Sequence, residues 1–141
     1  MTTQEIKKIL NTARTAEQEY SLAKEKMQSY RELLQGGKSI DYSDKPKSES
    51  KENSVENSLV LLADYETECR LCLARLVSVR KKISRYIEPL PFPEKEVMTR
   101  RYICCQRWEF IAEKMNYNLR HVYKIHGSAL QKMALNGTII L

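Results

Sequence analysis

The residue types best suited to chemistry gather near the end of the chain, in Asn118-Leu119-Arg120-His121-Val122-Tyr123-Lys124 and the nearby Gly127. At helical spacing Leu119, Val122 and Ile125 share an apolar stripe, which leaves Asn118, Arg120, His121, Tyr123, Lys124 and Gly127 facing outward. Guanidinium, ammonium, amide and aromatic groups on one helix face suit phosphates and the edges of bases, and they break no bonds. Arginine can grip guanine with two hydrogen bonds, whereas lysine on a phosphate adds affinity that salt weakens. Tyr123 either stacks on sugar, touches a thymine methyl or simply covers its helix. The plain alternative for the whole face is a solvated basic surface. Against it stands the charge pattern: no acidic residue follows Glu113, while Lys114, Arg120, His121, Lys124, His126 and Lys132 do. Of the preceding arginines, Arg100, Arg101 and Arg107 are candidates for phosphates, and Arg101 equally for a local carboxylate such as Glu109.

Other reactive side chains point less clearly to a site. Cys69 and Cys72 form a CxxC, but inside a helical repeat, where both act as small apolar residues. Adjacent Cys104 and Cys105 do not readily share a tetrahedral ion, so neither a metal nor a cofactor is expected. Trp108 reads as packing and His126 as a packed, hydrogen-bonded histidine. The chain has no glycine-rich phosphate loop, no HExxH and no nucleophile elbow, so no enzyme is expected.

Several elements must position the outward face. The sequence has 141 residues, 42% hydrophobic and 30% charged, with only four glycines and four prolines, a helix-forming composition. Ile6, Ile9, Ala13, Ala16, Tyr20, Ala23, Met27, Tyr30 and Leu34 recur in alternating steps of three and four, a heptad seam over residues 3–35. Gly36-Gly37 end it, and the polar stretch 36–52, with Ile40 and Tyr42 as its large apolar groups, reads as a mobile loop. Asn53 then caps a second helix over 53–88, with Glu56 three residues on. Its seam runs Val55, Leu59, Leu62, Glu66, Cys69, Leu73, Leu76, Arg80, Ile83 and Ile87. Glu66 and Arg80 either set register or, the plainer reading, reach water from the seam edge. Two such helices joined by one loop predict an antiparallel hairpin.

The prolines of EPLPFPE (88–94) end that helix and set a domain boundary, so that residues 89–141 form a second domain. Three short helices follow over 94–134: one with Val97, Met98 and Tyr102, one with Trp108, Ile111, Ala112 and Met115, and one burying Leu119, Val122, Ile125, Ala129 and Met133. Asn116 suits a left-handed turn and Asn118 an N-cap. Small Ala112 lets the last two helices cross closely. That is helix-turn-helix spacing, which aims residues 118–127 at a major groove ~12 Å wide. Asn136-Gly137 stop the third helix, leaving a short tail. The fold class expected is therefore all-α: a long hairpin over 1–88, then a three-helix helix-turn-helix domain.

The segment PEKEVMTRRYICCQRWEFIAEKMNYNLRHVYKIHGSAL resembles region 4 of the sigma-70 family. The matching residues are Pro93, Glu94, Glu96, Val97, Arg101, Tyr102, Ile111, Ala112, Asn118, Val122 and Ala129-Leu130. The wider layout is similar to small region-4-like regulators of Gram-positive phages and prophages, including the autolysin-regulator type of late activator. In those, a helical N-terminal half and a YSD-x-P-like loop (here Tyr42 to Pro46) precede a W-E-x-I-A…H-G-x-A-L end. The likeness is close over 93–131, loose over 40–88 and absent over the first helix. Cys104-Cys105 replace a polar loop and Asn116 the usual turn glycine. The resemblance implies double-stranded DNA as partner, with contact to RNA polymerase as a further expectation.

Together these readings predict a cytoplasmic transcriptional regulator of a bacterial host, with DNA-facing residues Arg107, Asn118, Arg120, His121, Tyr123, Lys124 and Gly127. A homodimer through the N-terminal helices would bury the seams, as would closure of the hairpin on itself. The alternative is a DNA-binding assembly adaptor, such as a small terminase-like packaging subunit. MTTQEIKKIL has no signal-peptide core, and the longest apolar run, LVLLA, is far too short to span a membrane.

Overall fold

The computed structural model describes residues 1–36 and 49–140. Among them every regular element is a helix: α1 (Thr3–Leu34), α2 (Glu49–Ile87), α3 (Glu94–Met98), a π-helical turn (Thr99–Ile103), α4 (Trp108–Met115) and α5 (Leu119–Ile140). The all-α class is therefore observed. No helix among the described residues is long and apolar enough to cross a membrane.

Local chemistry sets most helix ends. At the start of α1 the Thr2 hydroxyl accepts the Glu5 N–H (3.2 Å) while the Glu5 carboxylate accepts the Thr2 N–H (3.0 Å), a reciprocal capping box. Past its other end Gly36 takes φ +78°, the left-handed conformation expected of a C-terminal glycine. Residues 37–48, and with them most of the expected loop and the Tyr42 to Pro46 motif, lie outside the described residues. The start of α2 is corrected from Asn53 to Glu49, because the backbone is already helical through Glu49-Ser50-Lys51-Glu52. Glutamate and lysine favour the helix, so Asn53 sits within α2 and does not cap it.

The chain divides into two compact units, and both long helices contribute to each. One combines Met1–Glu17 with Arg75–Leu141, the other is Gln18–Ala74. The expected division at 88 and 89 falls inside the first. Its cause is one apolar cluster that joins Ile6, Leu10 and Ala13 of α1 to Ile83, Tyr86 and Ile87 of α2, to Leu90, Met98 and Tyr102, and to Ala129, Leu130 and Met133 of α5. Leu10 lies off the heptad seam yet is 1% exposed, since α1 here meets α5 residues as well as α2. A smaller cluster of Val97, Ile111, Ala112, Val122 and Ile125, with Trp108, Met115 and Leu119 at its edge, holds α3, α4 and α5 together. Glu94, buried at the start of α3, ties that helix to α5 through Lys132 (2.8 Å) and the Ser128 hydroxyl (3.3 Å).

In the same unit α5 runs on to Ile140, so Asn136-Gly137 do not stop it. Gly137 is buried, and a β-carbon there would lie 3.0 Å from the Met1 sulfur and 3.4 Å from the Tyr86 ring. The missing side chain serves close packing, which outweighs the usual cost of a helical glycine.

In the Gln18–Ala74 unit the two helices are antiparallel. Lys26 meets Glu68 (2.7 Å) and Arg31 meets Glu66 (2.9 Å), while the Tyr30 and Tyr65 rings pack edge to face at 5.4 Å. Glu66 therefore pairs with α1 where the plainer expectation was water. So does Arg80 in the other unit, which reaches Glu17 at 2.8 Å and the Cys105 sulfur at 3.5 Å. Among the described residues of the Gln18–Ala74 unit the buried apolar side chains are Ala23 and Cys69, whereas Leu22, Leu33, Val55, Leu59, Val60, Leu71 and Leu73 are exposed.

Candidate nucleic-acid interface

The turn between α4 and α5 is built by two asparagines with different tasks. Asn116 takes φ 57°, ψ 40°, the left-handed conformation, and the Tyr117 N–H returns to the Ala112 carbonyl at 2.9 Å to close α4. Asn118 starts α5: its Oδ1 accepts the His121 N–H at 2.7 Å. Both roles match the expectation from sequence. The cap takes one lone pair of the Asn118 oxygen and leaves the other, with the amide N–H groups, for a ligand.

Beyond the turn, Val122 (0% exposed) and Ile125 (7%) anchor one face of α5 on Ile111 and Ala112. The opposite face carries Asn118, Arg120, His121, Tyr123 and Lys124, which together line one open concavity. All five are exposed, and none is acidic. Arg120 and Lys124 form no ion pair among the described residues. Two of the seven expected residues lie outside this group. Gly127 borders open space on α5, and Arg107 is exposed at the residue before α4, where its extended backbone (ψ 150°) makes no side-chain cap.

Most of the other basic side chains at this end have contacts of their own. Arg100 pairs with Glu96 at 2.8 Å. Arg101 stacks its guanidinium over Trp108, 4.5 Å from the ring centroid, and donates from Nη1 to the Gln106 carbonyl at 3.0 Å, so Glu109 is not its partner. Lys132 belongs to Glu94, and Lys114 lies over Phe110 at 5.6 Å. Among the described residues, the exposed cations without a partner at this end are thus Arg120 and Lys124 in the concavity and Arg107 before α4.

Behind the concavity stands an aromatic stack that sequence reasoning found only in part. Trp108 packs edge to face against Tyr123 (5.4 Å between centroids) and against His126 (4.8 Å). His126 Nε2 and the Tyr102 hydroxyl are hydrogen-bonded at 2.8 Å, and Tyr102 is buried in the large cluster. Burial, aided by the Arg101 and Lys7 cations, lowers the His126 pKa to about 4, so the ring is neutral near pH 7. Burial likewise pushes the Tyr102 phenol upward. The packing roles expected for Trp108 and His126 are observed; their joining of Tyr102 to Tyr123 had no signal in spacing.

No protein-family model, curated protein or solved structure matches this chain.

Proposed function

We propose that this protein is a double-stranded DNA-binding transcriptional regulator of phage or prophage type that reads the major groove with the start of α5. One observation carries the reading: Arg120, His121, Tyr123 and Lys124 share an acid-free concavity on a helix whose other face is locked into the core. Unpaired cations on a fixed helix supply phosphate affinity, and amide and aromatic groups beside them supply discrimination between bases. No bond is made or broken. Regulation proceeds by recruiting RNA polymerase to a promoter or by blocking access to it.

The test is selection of bound duplexes from a randomised pool at near-physiological salt. Wild type enriches one motif, and Arg120→Ala with Lys124→Ala lowers affinity by about tenfold or more and flattens its salt dependence. Unchanged affinity in the folded double variant removes the groove assignment.

The exposed Leu59, Val60, Leu71 and Leu73 support self-association through the Gln18–Ala74 unit. A dimer there suits a regulator with paired half-sites. The same residues favour a second reading, an assembly adaptor that gathers DNA for packaging, in which the chain closes into a ring of many subunits.

A further inference from the structure

Five side chains line the concavity, and four of them are polar throughout or charged: the Asn118 amide, the Arg120 guanidinium, the His121 imidazole and the Lys124 ammonium. Tyr123 alone brings a large apolar surface, and the residue is 47% exposed. It is also held differently from the cations. Arg120 and Lys124 have long rotatable stems and no partner among the described residues, whereas the Tyr123 ring rests on Trp108 at 5.4 Å and 74°. Trp108 is in turn clamped between Arg101 (4.5 Å) and His126 (4.8 Å), and His126 is hydrogen-bonded to buried Tyr102. A continuous set of contacts therefore runs from the core to one aromatic edge on the candidate interface.

In the major groove the apolar feature that base edges present is the 5-methyl group of thymine. A braced aromatic edge among hydrogen-bond donors complements that methyl, while the Tyr123 hydroxyl serves a phosphate or a polar group beside it. We propose that Tyr123 is a thymine-reading residue and that Trp108 is the positioning residue that holds it, so that base preference at one position rests on this pair while Arg120 and Lys124 supply affinity. This inference rests on the DNA-binding reading above and adds to it a base and two roles.

The experiment uses the full chain and its selected duplex, with each thymine replaced in turn by uracil, which deletes only the methyl. Wild type loses about fourfold in affinity at one thymine, the worth of one methyl-sized apolar contact. Tyr123→Ala binds the thymine and uracil duplexes equally. Trp108→Leu brings the thymine-to-uracil ratio close to one without altering the salt slope, and Trp108→Phe, which keeps a ring, restores part of it. Arg120→Ala with Lys124→Ala weakens binding and retains the ratio. Circular dichroism melts show which variants are folded, and Tyr123→Ala, a change at a half-exposed ring, decides the matter even if Trp108→Leu does not fold. Wild type that binds thymine and uracil duplexes alike at every position, or Tyr123→Ala that keeps the full ratio, overturns the assignment while leaving DNA binding intact. Wild type that binds no duplex overturns both.

Discussion

His126 shows how a single side chain ties stability to pH. The unfolded chain takes up a proton there near the ordinary value of 6.5, whereas the folded ring does so only at about 4. Between those values the unfolded state binds more protons, so its contribution is complete above pH 6.5 and is lost as pH falls toward 4. Urea unfolding across that window is expected to show wild type weakening steadily, and His126→Gln, which cannot titrate, weakening less. Equal slopes would mean that the ring is not held neutral. At this scale the asparagines were legible because their work is local: a left-handed turn at Asn116 and a cap at Asn118 depend on neighbours within five residues. The Tyr102–His126 bond, which spans 24 residues, and the Trp108–Tyr123 contact depend on how helices cross, and residue type alone does not disclose that.

Among the elements, the crossing of α4 and α5 governs where the candidate interface points. Ala112 lies 7% exposed in the cluster that also holds Val122 and Ile125, so a larger side chain there must push the two helices apart. Ala112→Leu is expected to cost about 1–3 kcal/mol by overpacking. In the folded fraction it should also lower DNA selectivity, measured by thermal melts alongside duplex binding; a variant as stable and selective as wild type would show that the crossing tolerates rotation. The helices themselves were readable, and the seams are kept in part: Ile6, Ala13, Ala16 and Ala23 of α1 and Cys69, Leu76, Ile83 and Ile87 of α2 are buried, whereas Leu34, Val55, Leu59 and Leu73 are exposed. The prolines of 89–93 do end α2. Two helix ends depart from the sequence pattern, one for a tertiary reason and one for a local one. Gly137 looks like a stop, but Met1 and Tyr86 need the space its side chain would fill. Asn53 looks like a cap, but the residues before it are equally content in a helix.

Across the whole molecule, apolar surface is unevenly used. Among the described residues, the unit that joins Met1–Glu17 to Arg75–Leu141 holds nearly all the buried apolar side chains, while Gln18–Ala74 contributes Ala23 and Cys69. Its surface ion pairs, Lys26–Glu68 and Arg31–Glu66, are each worth little in water. Sedimentation is therefore expected to show a concentration-dependent dimer that Leu59→Ser with Leu73→Ser returns to monomer, with melting temperature falling on dilution only in wild type. A wild-type monomer at all concentrations would refute self-association, and a large ring would favour the assembly reading. The division into units was hidden in the sequence because EPLPFPE interrupts helical propensity without interrupting packing; Ile87 and Met98, on either side of it, share one cluster. That same cluster fixes an order of events during synthesis. Ile6, Leu10 and Ala13 lie far ahead of Leu130 and Met133 in sequence, so at about 5–20 residues per second they leave the ribosome several seconds before the α5 residues with which they pack. Gln18–Ala74 lies between them and is made before α5, so the first turns of α1 must wait for α5 before their cluster is closed.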